Sequence, residues 1–423
     1  MEPGHYGKWS AKNGFISTRF FEPKELLDTQ YYSSGVDELV AEFSEKLDKS
    51  VSRRMVADVP FGAFLSGGID SSAIVATMSK FSKMPIMTFS IGFEESNQSE
   101  LEYARTVADR FNCDHHELIV SSEDLRRHLD DLVRLRDCPV SEPSDIPIYL
   151  LAKFASKHVK MVLTGEGADE ILGGYDKYYL EGYGLAYRKV IPNFIRKKII
   201  QSSINLLPER MWRWKFAINT LNKNDNSERM ASWFGGMDTS EIKSILGSGG
   251  SQTSFCKWSD RHSGARNLMN FDQKYWLPDN LLERGDRMSM AASLEARMPF
   301  MDVELSTFAA KLPDKLRVSG TRTKVVLRKS MEGILPKRII SRSKIGFRVP
   351  VREWFREDLS DWLEDLLLSD ASEISRFLIR SEVKRIVENH RDCRENNEKV
   401  IWSLVTLEIF LRQNKSEILL EEY

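Results

Sequence analysis

The chain has 423 residues, of which 41% are hydrophobic and 29% are charged, a composition typical of a globular protein with one to three domains. Its 61 lysines and arginines against 62 aspartates and glutamates give a formal net charge of -1. That balance argues against a nucleic-acid or membrane partner attracted by overall charge, so a polyphosphate ligand would need a local site. The four cysteines lie far apart without a C-x-x-C pair, which argues against a zinc site and a disulfide framework.

The N-terminal region, residues 1–35, is rich in glycine, proline, serine and aromatic residues and has no sustained period, which predicts a linker or arm. It lacks the apolar core of a secretory signal, and no apolar run of the chain is long enough to span a bilayer. These features predict a cytoplasmic protein.

After a predicted helix at 36–57, short apolar runs alternate with helical patterns. The apolar runs are 59–65, 85–93, 116–120 and 159–163, and the helical patterns are 72–81, 99–111, 122–136 and 146–157. This alternation predicts an α/β fold, a twisted parallel sheet with helices on both faces. We predict one domain over 36–423, with a helical insertion at about 176–270 that contains a flexible segment, and a helical C-terminal part. Ligands of such sheets bind beyond the carboxyl ends of the strands, so the segments after Leu65, Phe89 and Leu163 should meet.

The first of these segments, S-G-G-I-D-S-S at 66–72, lies between a predicted strand and a predicted helix. Gly67 and Gly68 allow the backbone to approach an anion, and the helix start offers free N–H groups. Further hydroxyl donors come from Ser66, Ser71 and Ser72. Asp70 would repel a bare phosphate, so it indicates an intervening Mg²⁺. The simpler alternative is a helix N-cap with a glycine turn, and a Walker A loop is excluded because its lysine is missing.

The second acidic segment, L-T-G-E-G-A-D-E at 163–170, follows the last predicted strand and precedes G-G-Y. Two glycines flank Glu166, and Asp169 lies where a helix should begin. The predicted topology brings this segment near the first, so Asp70 and Asp169 could share one Mg²⁺. Acidic residues at a helix N-terminus can also simply complement the helix dipole, which is sufficient for Glu170.

These segments resemble known patterns. S-G-G-x-D-S-S is similar to the pyrophosphate-binding loop of the ATP pyrophosphatase superfamily, whose members share an adenine nucleotide α-hydrolase-like fold, cleave ATP between its α and β phosphates and adenylate a substrate. L-T-G-E-G-A-D-E with G-G-Y resembles the asparagine synthetase pattern. The glutamate at Glu166 favours that branch over the β-lactam-forming branch, which has a tyrosine at this position.

Two later blocks carry the same resemblance. Residues 280–302 are similar to the family signature D-R-x-S-M-A-x-x-x-E-x-R-x-P-F-x-D, although on their own they predict an amphipathic helix that stops before Pro299. The resemblance implies substrate-pocket roles for Asp286, Arg287, Glu295 and Arg297. R-S-K-I-G-F at 342–347 resembles the family's R-x-K-x-x-F segment, whose lysine, here Lys344, contacts phosphate. Lys324 in T-K-V-V-L-R is a second match, or simply a lysine on a helix surface.

The resemblance extends from about Ser34 to Trp402 and implies a C–N bond-forming ligase that uses Mg²⁺ and ATP. The adenine is expected near the backbone of Leu65 and Ile91, and the pyrophosphate end on 66–72 and Gly165. The aspartate side chain would attack the α-phosphorus, and ammonia would displace AMP to give asparagine. The expected roles are Mg²⁺ binding for Asp70 and Asp169, phosphate contact for Lys344, and positioning or deprotonation of ammonia for Glu166.

Two alternatives remain open at this stage: amidation of another carboxylate, in surface-polysaccharide or specialised metabolism, and a non-catalytic subunit that has kept the fold.

Complete family members begin Met-Cys and hydrolyse glutamine, whereas this sequence begins Met1-Glu2-Pro3. We therefore expect ammonia to come from solution or from a separate glutaminase subunit, unless the chain is part of a longer product. The sequence leaves the oligomeric state open, with a homodimer as one alternative.

Overall fold

A computed structural model describes residues 1–21, 32–94, 100–139, 142–205, 208, 211–237, 239–246, 258, 262, 264–344 and 349–415. Its two sheets are a hairpin and a central parallel sheet. The hairpin strands are β1 (His5–Ser10) and β2 (Gly14–Arg19). The central strands are β3 (Phe61–Phe64), β4 (Met87–Phe93), β5 (Asp114–Val120), β6 (Met161–Leu163) and β7 (Glu295–Arg297).

Helices occupy most of the remaining described chain. Those before the insertion are α1 (Val36–Arg54), α2 (Ile69–Phe81), α3 (Glu100–Arg110), α4 (Ser122–Arg136), α5 (Asp145–Ala155) and α6 (Ala168–Leu172). The insertion contains α7 (Asp176–Val190), α8 (Asn193–Ile195), a π-helix (Arg196–Ile200), α9 (Gln201–Asn205), α10 (Trp212–Asn222), α11 (Asn226–Ser232), α12 (Thr239–Leu246) and α13 (Ala265–Phe271). The glycine- and serine-rich run at 247–251, part of the predicted flexible segment, lies outside the described residues.

The C-terminal part is also helical, as predicted. From α13 the chain continues through a π-helix (Asp272–Leu282) into α14 (Glu283–Ala291). After β7 come a 3₁₀ helix (Pro299–Met301), α15 (Val303–Lys311), α16 (Asp314–Arg317), α17 (Val325–Ser330), α18 (Lys337–Ile340), α19 (Val351–Trp354), α20 (Ser360–Leu368), a second 3₁₀ helix (Glu373–Arg376), α21 (Arg380–Arg391) and α22 (Glu398–Gln413).

The central sheet is parallel throughout, with the strand order β5-β4-β3-β6-β7. Alternate residues of β6 enter different cores: Met161 and Leu163 pack with α1, α2 and α15, whereas Val162 packs with α5. Helices therefore cover both faces, and the predicted fold class is confirmed. A third core joins α4 and α5 to α20, α21 and α22.

The strand β7 was not predicted, because the charge pattern of 280–302 indicated one continuous helix. The helix α14 ends at Ala291, and β7 pairs with β6 through Leu163 and Arg297. An edge strand of three residues with a charged residue at each end gives no apolar run, so the pattern of i,i+4 charges was misleading.

The predicted arm contains the hairpin β1–β2, which the sequence analysis did not anticipate. Its side chains are almost all exposed, including Trp9 at 74% and Phe15 at 59%. The division of the chain into an arm and one domain stays a prediction. Within the described residues, none of the helices combines the length and hydropathy that crossing a bilayer requires.

The loop that follows β3 turns tightly against α3. Gly67 has φ +67°, and a Cβ atom built on it would lie 2.4 Å from Tyr103 Cβ and 2.6 Å from the Ala104 nitrogen. The neighbouring atoms include backbone, which cannot move aside as a flexible side chain could. Glycine is therefore required here both for its conformation and for the close approach of two elements.

We predict that Gly67→Ala destabilises the protein more than Gly320→Ala does. Gly320 has a similar φ of +59°, but a Cβ atom added to it would have no atom within 4 Å. Gly320→Ala therefore measures the cost of the left-handed backbone conformation alone, without a steric clash. Overpacking should add roughly 1–3 kcal/mol to the loss at Gly67. Urea unfolding of both variants measures the difference, and equal losses would contradict the proposed packing.

Candidate active site

The first loop presents the start of α2 without a side-chain cap. Gly68 is the N-cap residue and makes no side-chain hydrogen bond there. The Ser71 hydroxyl instead accepts from the Ser66 N–H at 3.2 Å, which ties the loop to the first turn of the helix. Ser72 is buried, and its Oγ has no hydrogen-bond partner in the described part of the chain. The 13-residue helix therefore directs its N-terminal dipole at this loop.

The second loop lies directly against the first, as the parallel topology predicts. A Cβ on Gly165 would be 2.9 Å from Asp70 Cβ and 3.0 Å from the Ser71 nitrogen. A Cβ on Gly167, at φ +87°, would be 2.4 Å from Met301 Cε. The two glycines around Glu166 are therefore explained by close packing on either side of it.

Two lysines bridge the aspartates of the two loops. Lys324 Nζ lies 2.5 Å from Asp70 Oδ2 and 2.6 Å from Asp169 Oδ1. Lys344 Nζ lies 2.8 Å from Asp169 Oδ2 and 4.0 Å from Asp70 Oδ2. Lys324 is 1% exposed, so it is not a helix-surface lysine. The structure thus brings together four residues that are distant in the sequence.

The mutual charges keep Asp169 and Lys344 ionised. Burial disfavours the Asp169 carboxylate, but Lys324 and Lys344 outweigh burial and lower the pKa of Asp169 below its ordinary value. Burial also disfavours the Lys344 ammonium, yet Asp169 and Asp70 raise its pKa above the ordinary value. Asp169 and Lys344 are therefore both charged at neutral pH.

The backbone around the bridge is fitted closely to it. Lys324 has φ +50° at the N-cap of α17, a left-handed conformation that non-glycine residues rarely adopt and that clusters at functional sites. A Cβ on Gly174 would lie 1.8 Å from Asp169 Oδ1 and 2.2 Å from Lys324 Cε. The glycine of G-G-Y therefore makes room for the bridge.

A cleft opens beside the bridge, and most of the charged residues that line it are basic. The lining residues are Ser66, Gly68, Ile69, Asp70, Glu100, Thr323, Lys324, Arg328, Arg342, Ser343 and Lys344. Four of them are lysine or arginine and two are acidic. This excess of positive charge next to a helix N-terminus suits an anionic ligand.

Two arginines of the cleft position its walls, and the sequence analysis assigned a role to neither. Arg328 donates to the carbonyls of Thr323 at 2.8 Å, Ile340 and Arg342 at 3.1 Å, which fixes the segment leading to Lys344. The Arg342 guanidinium pairs with Glu100 at 3.2 Å. The sequence held one signal for Arg328, which follows Lys324 by four residues and so shares its side of α17.

The acidic residues of the bridge also fit a magnesium ion. Asp70 Oδ1 is enclosed and has no hydrogen-bond partner in the described part of the chain. Among the described residues, no group of three or more His, Cys, Asp or Glu side chains is placed to hold a metal. Mg²⁺ is commonly bound by one or two carboxylates together with substrate phosphates. Asp70 and Asp169 match that pattern, so the metal stays a prediction that depends on a phosphate ligand.

Glu166 lies beside α14 rather than in the bridge. A Cβ on Gly285 would be 2.6 Å from Glu166 Oε2, and this oxygen is enclosed without a hydrogen-bond partner in the described structure. Burial raises the pKa of Glu166 to about 7, although the nearby Arg284 opposes the rise. A carboxyl group with such a pKa can exchange a proton near neutral pH.

Comparisons with known proteins agree with this geometry. A family model described as asparagine synthase matches residues 42–412. The chain belongs to the asparagine synthase family. The resemblance inferred from the motifs is therefore confirmed, and with it the assignment to a family of C–N bond-forming ligases.

Individual relatives are similar over most of this chain. The chain is 32% identical to asparagine synthetase [glutamine-hydrolyzing] 1 of Bacillus subtilis, over 88% of this chain and 59% of the relative. It is 28% identical to asparagine synthetase [glutamine-hydrolyzing] 3 of the same organism, over 92% and 60% of the two chains. The bovine asparagine synthetase [glutamine-hydrolyzing] is 26% identical, over 92% and 61%. The chain thus spans about three fifths of these relatives.

A solved structure of NMN synthetase from Francisella tularensis matches 62% of this chain and 95% of its own, with 12% sequence identity and a TM-score of 0.26. That likeness is too weak to carry any argument about the site. The α/β fold and the family membership rest on the strand topology and on the asparagine synthase match.

The sequence analysis missed a buried charge cluster next to Glu166. Asp145 lies between Arg136, at 3.4 Å, and Arg284, at 3.7 Å, and Arg136 also pairs with Glu283. Burial outweighs the two arginines and raises the pKa of Asp145 to about 7. The cluster joins α4, α5 and α14, which are far apart in the sequence, so no local motif could reveal it.

The signature at 286–297 lies only partly near the site. Asp286 and Arg287 are exposed on α14, where Arg287 pairs with Glu283. Glu295 is exposed and accepts from Arg297, whose guanidinium also donates to two carbonyls at the end of α1. The contacts of Glu295 and Arg297 therefore fasten β7 to α1, and no pocket role for the four residues is established.

The adenine is expected beside the backbone where the residue after β3 is hydrogen-bonded to β4. The Leu65 N–H donates to the Phe89 carbonyl at 2.9 Å, and the Ser90 hydroxyl donates to the Leu65 carbonyl. Leu65 and Ile91 are both buried. The adenine site stays a prediction, and Phe347 of the last motif lies outside the described residues.

We predict that Lys324→Met strongly destabilises the protein, because it removes the lysine 2.5 Å from the buried Asp70 and leaves Lys344 4.0 Å from that carboxylate. Breaking a buried ion pair from one side costs roughly 3–5 kcal/mol. Lys80→Met is the matched control, since Lys80 pairs with Asp48 at 2.9 Å but on the surface, where a pair contributes about 0–1 kcal/mol. Denaturant unfolding compares the two, and a loss at Lys324 as small as at Lys80 would contradict the bridge.

Proposed function

We propose that this chain forms an amide by adenylating the side-chain carboxylate of aspartate and transferring ammonia to it, with asparagine, AMP and pyrophosphate as products. The observation that carries the proposal is the bridge of Lys324 and Lys344 between Asp70 and Asp169, at the meeting point of two strand-end loops. Membership of the asparagine synthase family supports the choice of acceptor.

The nucleotide binds with its pyrophosphate end on the loop 66–72. The N-terminus of α2 and the ammonium groups of Lys324 and Lys344 face the β and γ phosphates. Asp70 and Asp169 would hold Mg²⁺, which would supply positive charge next to the phosphates. This arrangement leaves the α-phosphorus at the edge of the sheet that also carries Glu166.

The reaction then has two displacements. A side-chain oxygen of aspartate attacks the α-phosphorus, and the bond from that phosphorus to the bridging oxygen of pyrophosphate breaks. The nitrogen of ammonia next attacks the activated carboxyl carbon, and the carbon–oxygen bond to AMP breaks. The protein contributes by holding the reactants together and by stabilising the charge that develops on phosphate oxygens.

Glu166 takes part in the second displacement. The attacking ammonia becomes positively charged as it bonds to carbon, and it must lose protons to give a neutral amide. A carboxylate with a pKa of about 7 can accept one of them at neutral pH. Gly285 lets α14 pack directly against Glu166 Oε2, because a Cβ atom there would lie 2.6 Å from that oxygen.

The direct test uses the purified chain with Mg²⁺, ATP and ammonium, and a panel of carboxylic acids. We predict that aspartate gives asparagine, AMP and pyrophosphate in equal amounts, and that Lys344→Ala lowers this rate by roughly 100-fold or more. Lys83→Ala, at an exposed residue before β4, is the control and should keep the rate.

Each other outcome of that assay is informative. Turnover of a different acid with none for aspartate would keep the chemistry but overturn the acceptor. Turnover of no acid with ample ammonium, or an unchanged rate in Lys344→Ala, would overturn the proposed chemistry or the role of the bridge.

We predict that Glu166→Gln loses ammonia transfer by roughly 100-fold or more but retains aspartate-dependent exchange of pyrophosphate into ATP. Below pH 7 Glu166 is protonated and cannot accept a proton, so the wild-type transfer rate at a fixed concentration of neutral ammonia should rise as pH increases through about 7. The variant should lack this rise. Full transfer by Glu166→Gln would exclude the proposed role.

A further inference from the structure

The insertion carries a segment whose charge differs from that of the whole chain. Between residues 188 and 215 there are eight basic residues and one acidic residue, Glu209. The basic residues are Arg188, Lys189, Arg196, Lys197, Lys198, Arg210, Arg213 and Lys215. In a protein with a formal net charge of -1, this segment is a local concentration of positive charge that the proposed amide chemistry does not use.

Two of the arginines stabilise the insertion from within. Arg196 is 4% exposed and donates to the carbonyl of Asn222 at 3.2 Å, and Arg188 pairs with the buried Glu181 at 2.7 Å. In contrast, Lys189, Lys198 and Arg213 are exposed. The internal contacts fix the helices, and the exposed cations are presented outward on a defined scaffold.

Large apolar side chains are exposed among these cations. Val190 is 78% exposed, Phe194 64%, Ile199 57% and Trp214 58%. Along the continuous helical stretch from Asn193 to Asn205, positions 193, 194, 198, 199, 202 and 203 are exposed, whereas positions 196 and 204 are buried. This spacing places Phe194, Ile199 and Lys198 on one side of the helical stretch.

We infer that the face carrying Phe194, Lys198 and Ile199, together with the exposed Lys189 and Val190 just before it in the chain, docks on the surface of an anionic lipid bilayer. Exposed apolar side chains interleaved with lysine and arginine characterise helices that lie in the interface of a membrane, with the apolar groups at the acyl boundary and the cations at the headgroups. The protein binds peripherally, in agreement with the described helices, none of which could cross a bilayer.

The composition of the face favours lipid over the other occupants. A soluble polyanion satisfies the cations but gives Val190 and Ile199 no apolar contact. A second copy of the chain would place the same cations against each other in a two-fold contact, and like charges repel. An anionic bilayer supplies both negative headgroups and an apolar boundary for the same patch.

The test is flotation of the purified chain with vesicles of phosphatidylcholine alone and of phosphatidylcholine mixed with phosphatidylglycerol. We predict binding to the mixed vesicles at low salt, weaker binding at high salt, and little binding to phosphatidylcholine alone. Each basic residue near an anionic surface contributes roughly fivefold to the partition coefficient, so Lys189→Glu/Lys198→Glu should lower it by at least about 25-fold.

Matched variants separate this face from general surface charge and hydrophobicity. Lys83→Glu/Lys157→Glu makes the same charge change at exposed residues before β4 and β6, and should retain most of the binding. Phe194→Ser/Ile199→Ser should lose binding, whereas Met84→Ser, at a residue that is 74% exposed, should not. All these positions are outside the cleft, so the rate of amide formation in solution should be unchanged in every variant.

Four results would overturn the inference. The first is no binding of the wild type to anionic vesicles, and the second is an equal loss of binding in the segment variants and their controls. The third is binding that Phe194→Ser/Ile199→Ser leaves intact while single-stranded DNA or polyphosphate competes fully. The fourth is a stable dimer in analytical ultracentrifugation that the same variant dissociates. The first two remove the docking face, the third makes it a polyanion site, and the fourth makes it an interface between two copies.

Discussion

The sharing of two buried aspartates between two lysine ammonium groups is the interaction on which the site depends. Asp70 and Asp169 come from loops that follow β3 and β6, and Lys324 and Lys344 come from the C-terminal part. Burying one of these charges alone would be strongly unfavourable, so each loop can adopt its position only when the others are in place. The bridge thereby joins the central sheet to the helices that follow β7.

The same bridge connects the site to the insertion. Glu170, next to Asp169, accepts a hydrogen bond from Tyr175 at 2.6 Å, and burial together with Asp169 raises the pKa of Glu170 to about 7. Two residues further along, Lys177 pairs with the buried Asp272 at 2.7 Å. The first helix of the insertion is therefore anchored within a few residues of Asp169, so a change in the bridge can alter the position of that helix.

Sequence reasoning succeeded where one local pattern determines one structural feature. Apolar runs located four strands, and the parallel topology then required the loops around Asp70 and Asp169 to meet. It failed where the partner is distant in the sequence. Nothing near Lys324 shows that it is buried between two aspartates, and nothing near Asp145 reveals the arginines of α4 and α14. The strand β7 was missed because its position at the sheet edge, not its composition, makes it a strand.

Adenylation requires an oxygen of the acceptor carboxylate to bond to the α-phosphorus. The most direct measurement supplies aspartate labelled with ¹⁸O in its side-chain carboxylate and follows the label into the released AMP by mass spectrometry. The predicted result is one ¹⁸O atom in each AMP and one retained in the amide of asparagine. Unlabelled AMP, or label found in inorganic phosphate together with ADP, would contradict adenylation at this site.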